Sequence, residues 1–377
     1  MTPELISFED LPGSTRTSTK RFAPSELLLP TGSTLLNLAL AENPYGGWAR
    51  GSIANVIGDS HAGKSFLAWQ TLADMANGES FDEYNLFYDD CESAMRFNVD
   101  KLFGNATERV RYGEDFNSSL VENCFFRIKD LLRGNKSRKP LRMVYVVDSL
   151  DGLSSKEEVD KKESEIGKRD YPDKPRILSE QLKQVAALVG ETQSLVMVIS
   201  QTRQNIGVMF GAKKRRSGGD ALRFYSTHEM WLAVKGRIKV KERDVGTNIR
   251  IRVSKNKLTG KQREVELPIL VDYGIDDLGS IVDWMVAERF WVPIKKEKDK
   301  AAAKSWTPDD DEEKRQNEPK VYKTAADLGF NGTREEIVRG VEGRGLQDDL
   351  RQIVAECWMD VEAELASNRR PRYGSDS

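Results

Sequence analysis

The sequence predicts an α/β fold organised around a mostly parallel central sheet. Three observations carry that expectation. From about residue 50 to 292, short apolar runs alternate with longer amphipathic stretches. The runs are brief and rich in β-branched residues, as strands buried on both faces require. The first run leads into a loop framed by glycines, followed at once by a helical pattern.

Taken in order, residues 1–45 are rich in Ser, Thr, Pro and Gly, with apolar clusters at Leu27, Leu28 and Leu29 and at Leu35, Leu36 and Leu38. They read as an arm. Residues 46–294 form the core, with buried strands expected at 53–57, 86–88, 143–147 and 195–199. A linker at 295–320 includes KKEKDKAAAKSW and PDDDEEKRQNEP, which offer almost nothing to bury. Residues 321–377 read as a small helical module. Thr333 and Glu336 have capping-box spacing, and Leu346, Leu350, Ile353, Val354, Trp358, Val361 and Leu365 recur on one helical face, a packing stripe.

The chain has 377 residues, ample for a large core and an appendage. Charged residues make up 31%, but the formal net charge is only −2, so any nucleic-acid site must come from local charge. The three cysteines, Cys91, Cys124 and Cys357, are far apart in sequence, which argues against a disulfide framework or a zinc site. No apolar run approaches the ~20 residues that span a bilayer. The acidic start MTPELISFED lacks an export signal. A cytoplasmic protein with no membrane anchor is expected.

The strongest motif is Gly58-Asp59-Ser60-His61-Ala62-Gly63-Lys64-Ser65, a GxxxxGK[ST] phosphate-binding loop between a strand and a helix. Its glycines let backbone N–H groups wrap phosphate oxygens, and the helix N-terminus adds a favourable dipole. Lys64 is placed to reach the β- and γ-phosphates of ATP, and the Ser65 hydroxyl to ligate Mg²⁺. Three other strands end in residues this chemistry uses, at the carboxyl edge where open α/β sheets bind ligands. Asp148 follows 143–147 and suits a Mg²⁺-holding acid. Asp89, Asp90 and Glu92 follow 86–88, and any of these three carboxylates could take a proton from an attacking water. Gln201 follows 195–199 and could sense the γ-phosphate.

Beyond Gln201 come Arg203 and Asn205, then Ile206, Met209 and Phe210, then Lys213, Lys214, Arg215 and Arg216, then Ser217, Gly218 and Gly219. Four consecutive cations suit a phosphate backbone, and the apolar groups could insert between bases. On these residues alone, a solvated loop or a protein docking site competes equally.

IGVMFG, a spacer and GGDALRFYS resemble the second DNA-binding loop and following helix of bacterial RecA, and IRIRVSKNKLTGKQREVELPILVDYGIDDLGSIVDW resembles the end of the RecA core. The likeness spans roughly 30–292. The short arm and the ending GTREEIVRG…GLQDDLRQIVAECW look closer to phage-encoded RecA and UvsX-like recombinases. The resemblance implies a RecA-like ATPase core that binds single-stranded and double-stranded DNA as a homo-oligomeric helical filament, with single-strand-binding and mediator proteins as partners and the arm serving assembly. DCESA is similar to the family's DAEHA, which selects Glu92 as the residue that activates water. Gln201 matches the γ-phosphate sensor. Arg203, Ile206, Ser217, Gly218 and Gly219 match positions near DNA, and Phe224 one that bears on the next subunit. VSKNK resembles VVKNK, which implies that Lys255 and Lys257 complete a neighbour's ATP site. The first DNA loop would be 154–176, and the family's adenine-stacking Tyr has Val99 as its nearest counterpart. A hexameric helicase and an ATP-switched, non-catalytic filament partner are the rival readings.

Overall fold

The computed structural model describes residues 25–93, 95, 97–160, 173–204, 214–216, 219–294 and 320–367. The chain divides into two compact units, one within Arg21–Asp276 and one within Asp277–Ser377.

The first unit is built on one sheet. Its parallel part comprises β3 (Ser52–Gly58), β4 (Asn85–Asp90), β5 (Val110–Arg111), β6 (Met143–Asp148), β7 (Leu195–Gln204) and β9 (His228–Val240). β10 (Arg243–Asn256), β11 (Glu264–Leu270) and β12 (Gly274–Ile275) extend it antiparallel beyond β9, in the order β12-β11-β10-β9-β3-β7-β6-β4-β5. All four expected strands are present. Every residue of β3 and β6 is buried, which is why both read as mostly apolar runs without polar–apolar alternation.

Helices cover both faces. On one lies α2 (Lys64–Asn77), where Trp69 stacks on Tyr88 of β4 at 4.9 Å between ring centroids. The short α3 (Val99–Phe103) follows β4. On the other face, α4 (Val121–Arg133), α6 (Asp173–Thr192) and α7 (Gly219–Tyr225) pack Cys124, Phe125, Ile128, Leu182, Val185 and Leu222 against Ile53, Tyr145 and Val198. The apolar clusters of 27–38 are packed, not trailing, except for Leu27, which is 53% exposed. β1 (Leu28–Leu29) pairs with β2 (Trp48–Ala49), and every residue of α1 (Thr34–Ala41) is buried, with the Ser33 side chain capping its start. Residues 1–24 lie outside the described part.

The expected first DNA loop is described only at its ends. Its start holds α5 (Lys156–Asp160), and α6 already begins at 173.

The second unit holds α8 (Asp277–Ala287), α9 (Ala325–Leu328), α10 (Arg334–Arg344) and α11 (Gln347–Glu364). Thr333 and Glu336 form the expected capping box of α10. Leu350, Val354 and Trp358 are buried, and Trp358 stacks on Trp284 of α8. The stripe stops there. Leu365 is 67% exposed, at the cap just past the end of α11 at Glu364. Among the described residues no helix is long and apolar enough to cross a membrane.

Candidate nucleotide site and DNA-facing loop

β3 delivers the chain to the loop at Gly58, and α2 starts at Lys64 with Gly63 as its cap at φ 83°. Both glycines are required. A Cβ on Gly58 would sit 2.7 Å from Leu232 O, and one on Gly63 would sit 2.6 Å from Ile269 Cδ1 in a backbone region that side chains disfavour. Residues 61–65 line a cavity of about 480 Å³ together with Tyr88, Asp90, Glu92 and Asp148. Gly58, Asp59 and Ser60 form the approach to it. There Asp59 accepts from Lys64 Nζ at 2.8 Å through its carbonyl and from the Thr202 hydroxyl through its carboxylate.

Burial lowers the pKa of Lys64, against the pull of Asp148, Glu92, Asp59 and Asp151. Asp148 is shifted the other way. Burial raises its carboxyl, while hydrogen bonds from Ser65 and Tyr88 favour the ionised form. Ser65 and Asp148 are thus in contact at the foot of the cavity, a hydroxyl and a carboxylate that suit a hard divalent cation. These oxygens fit Mg²⁺.

The three acids after β4 part company. Asp89 is fully buried and accepts from Ser118 N and Ser118 Oγ at 2.7 Å, from Tyr145 at 2.6 Å and from Arg127 at 3.3 Å. It is a core acid. Asp90 lines the cavity but accepts from Met95 N at 3.1 Å. Glu92 is exposed, lines the cavity and accepts from Ser149 Oγ and, at 2.8 Å, from Gln201 Nε2. Gly152 lets β6's following turn pass close behind it, since a Cβ there would meet Cys91 O at 2.5 Å. Asp89 also gathers the two thiols that sequence distance kept apart, with Asp89, Cys91 and Cys124 ligand atoms within 4.8 Å of one another. A hydrogen bond with Cys124 and then burial push the Cys91 thiol up, so these groups behave as buried polar core.

Several wall residues escaped sequence reasoning. Val99 is buried at the start of α3 and does not line the cavity, whereas Phe97 and Met95 do, facing Ile249, Ile269 and Val271. Phe66 meets Phe97 at 5.2 Å between centroids. Asp151 accepts from Gln201 N at 2.8 Å and so fixes the end of β7. Its signal was faint, an acid three positions past Asp148.

β7 runs on through Arg203 to Gln204, and Lys214, Arg215 and Arg216 return antiparallel to it as β8 (Lys214–Arg216). The basic run expected to be a loose loop is therefore paired backbone over three of its four cations. Asn205, Ile206, Lys213, Ser217 and Gly218 lie outside the described residues, and Gly219 opens α7.

Lys255 and Lys257 do not line the cavity. Ile249, Ile251 and Val253 are buried on one face of β10, and the strand ends at Asn256. Lys255 Nζ donates to the carbonyls of Arg223 and Phe224, and Lys257 Nζ to that of Phe224 at 3.0 Å, at the C-terminal end of α7. Cations suit that end of a helix. Phe224 is 70% exposed beside them.

Residues 24–276, the first unit almost to the residue, match the family model of the RecA N-terminal domain. The chain belongs to the RecA family. It is 29% identical over 257 residues to Protein RecA of Caulobacter vibrioides, covering 67% of this chain and 66% of that protein. It is 31% identical over 260 residues to Protein RecA of Syntrophobacter fumaroxidans, covering 69% and 70%. The chain thus spans about two thirds of the length of these RecA relatives.

Proposed function

We propose that this protein is a DNA-dependent ATPase that forms a helical filament on single-stranded DNA and pairs it with homologous duplex. One observation carries the reading furthest. Glu92, the exposed acid of the cavity, is hydrogen-bonded to Gln201, and Gln201 stands on β7, the strand with which the basic segment pairs antiparallel. A change at the phosphate end of the cavity therefore has a covalent route to the loop that resembles a DNA-binding element.

Gly58 to Ser65 cradle the phosphates of ATP, with the Lys64 ammonium as the point charge. Ser65 and Asp148 hold Mg²⁺, which when bound supplies neutralisation of phosphate charge. Glu92 takes the proton from an attacking water, and Gln201 exchanges its bond to Glu92 for one to the γ-phosphate. The apolar wall of Phe97, Met95 and Val271 receives the base. Lys255 and Lys257 reach a neighbouring copy's phosphates and neutralise charge as it develops, coupling hydrolysis to assembly. The basic segment tracks the DNA backbone while base pairing reads the sequence, so pairing follows homology and not a fixed site. Single-strand-binding and mediator proteins are the partners such a filament would meet.

A strand-exchange assay with homologous and heterologous duplex tests this directly. Product with the homologous duplex alone, dependent on ATP and Mg²⁺, is the expected result. DNA unwinding without any need for homology would point to a translocating helicase.

A further inference from the structure

Glu229 of β9 is only 3% exposed, lies outside the nucleotide cavity and has no part in the chemistry proposed above. Burying a carboxylate inside a sheet is unfavourable unless hydrogen bonds and a counter-charge offset the lost hydration. From β10 come one hydrogen bond to the carboxylate and a nearby cation. The register of β9 on β10 slips between Val253 and Lys255, so that Met230 faces Val253 and Glu229 faces Lys255, with Ser254 as the extra residue. Such a bulge re-aims side chains. Here it turns the Ser254 hydroxyl onto Glu229 Oε1 at 3.0 Å and sets Lys255 opposite the same acid.

On its other side, Glu229 is register-paired with Asn55 of β3, and Asn55 Oδ1 accepts from Ser200 Oγ at 2.9 Å. Ser200 immediately precedes Gln201. Polar residues therefore stand on four adjacent strands, Ser200, Asn55 and Glu229 buried on β7, β3 and β9 and Ser254 half-buried on β10, from the sensor glutamine's strand to the strand that carries Lys255. The charged groups facing Lys255 are Lys257 on its own segment, Arg223 on α7 and Glu229 on β9. Burial and the two cations disfavour its ammonium form, and the one anion supports it.

We propose that Glu229 is a positioning residue that acts through Lys255, its buried carboxylate set opposite this lysine across the β9–β10 bulge as the negative charge beside the end of β10 from which Lys255 reaches a neighbouring copy. The proposal rests on the reading that Lys255 serves a shared nucleotide site. Burial, followed by Lys257, lowers the Lys255 pKa to about 8, and Glu229 works against that fall. Loss of the Glu229 charge must lower it further, into the range where the lysine is neutral at working pH.

The test is a pH titration of the full chain carrying ¹³Cε-labelled lysine, without nucleotide, with Lys255→Arg assigning the resonance. The wild-type midpoint is expected near 8. Glu229→Gln should lower it by about half a unit or more, and the alkaline limb of the DNA-stimulated ATPase profile should move the same way. Adding Lys255→Arg to Glu229→Gln should restore activity on the alkaline side, since a guanidinium stays charged there. Should Glu229→Gln not fold, Glu229→Asp keeps the charge but withdraws it, and a smaller drop in the midpoint is expected. An unmoved midpoint in whichever of the two variants folds would overturn the proposal. Undiminished ATPase of Lys255→Ala would instead overturn the shared-site reading, and the two failures are separable because the titration is read without nucleotide.

Discussion

Gln201 Nε2 donates to Glu92 Oε1 at 2.8 Å, joining β7 to the turn that follows β4, two strands that are not neighbours in the sheet. The bond holds the carboxylate of the proposed base against an amide that has another proposed partner. Replacing Glu92 by Gln preserves shape and removes the base. ATP and DNA should still bind, while turnover should fall on the order of 10² to 10⁴. Nucleotide binding and steady-state ATPase measured side by side decide the matter, and near-normal turnover would move the role to Asp90, the other acid after β4 that lines the cavity.

Neutralising Lys213, Lys214, Arg215 and Arg216 together should weaken single-strand binding and flatten its dependence on salt, by roughly 0.7 log units for each phosphate no longer neutralised. Binding isotherms across a salt series give the slope. A slope equal to wild type would reduce the run to an ordinary solvated surface.

Mixing complementary defects tests the shared site. Glu92→Gln and the double variant Lys255→Ala, Lys257→Ala should each be nearly inactive alone. Head-to-tail assembly after random one-to-one mixing leaves about a quarter of interfaces with both halves intact, and ATPase should return in that proportion. Mixed filaments that recover nothing would exclude the shared site.

Asp148 has its carboxyl raised by burial, so the unfolded chain ionises this group more readily than the folded one. At pH 7.5 its charge therefore works against the fold, and the disadvantage fades as pH falls into the range where the folded carboxyl protonates. Asp148→Asn should melt higher than wild type without ligand, by roughly 2–4 °C for each kcal/mol regained. The further rise that Mg²⁺ and ATP bring to wild type should be diminished. Melting curves with and without ligand, at pH 7.5 and 5, test both halves.

His228 is fully buried, its Nε2 accepting from Ala49 N at 3.1 Å, and burial depresses its pKa to about 3. The unfolded chain takes up this proton near 6.5 while the folded chain does not, so stability present above 6.5 is lost as pH falls toward 3. At pH 5 the loss from this group should be about 2 kcal/mol. Urea midpoints at pH 7 and 5 should separate accordingly, and His228→Gln should narrow the gap. Equal sensitivity in the variant would place the acid lability elsewhere.

The strands and the phosphate loop were legible because their signals are local. β3 and β6 are buried on both faces and so are apolar at most positions, and a loop that must wrap phosphate needs glycine at fixed places. What stayed hidden depends on pairing at a distance. Nothing near Asp89 told it apart from Asp90 until Tyr145, Arg127 and Ser118 closed around it. The Asp89, Cys91 and Cys124 cluster joins β4 and its following turn to α4, and the spacing of cysteines along the chain carries no trace of it. Phe97 could not be picked out as a cavity wall from a stretch without periodicity. Three of the four basic-run cations became strand because β7 extends farther than its apolar segment, and polar pairing leaves no hydrophobic pattern to read.

One strand carries both ends of the proposed reaction. Gly246, Thr247 and Ile249 of β10 wall a chain's own nucleotide cavity, while Lys255 stands at the far end of the same strand, roughly 20 Å from Ile249 at ~3.3 Å per residue. β10 is held between β9 and β11 and cannot stretch. If Lys255 completes a neighbour's site as proposed, the strand is in effect a ruler, fixing the offset between the pocket a copy owns and the pocket it would complete. Copies spaced to match that offset would be competent for hydrolysis, and copies drawn apart along DNA would fall silent together, making the activity of the assembly a gauge of its own pitch.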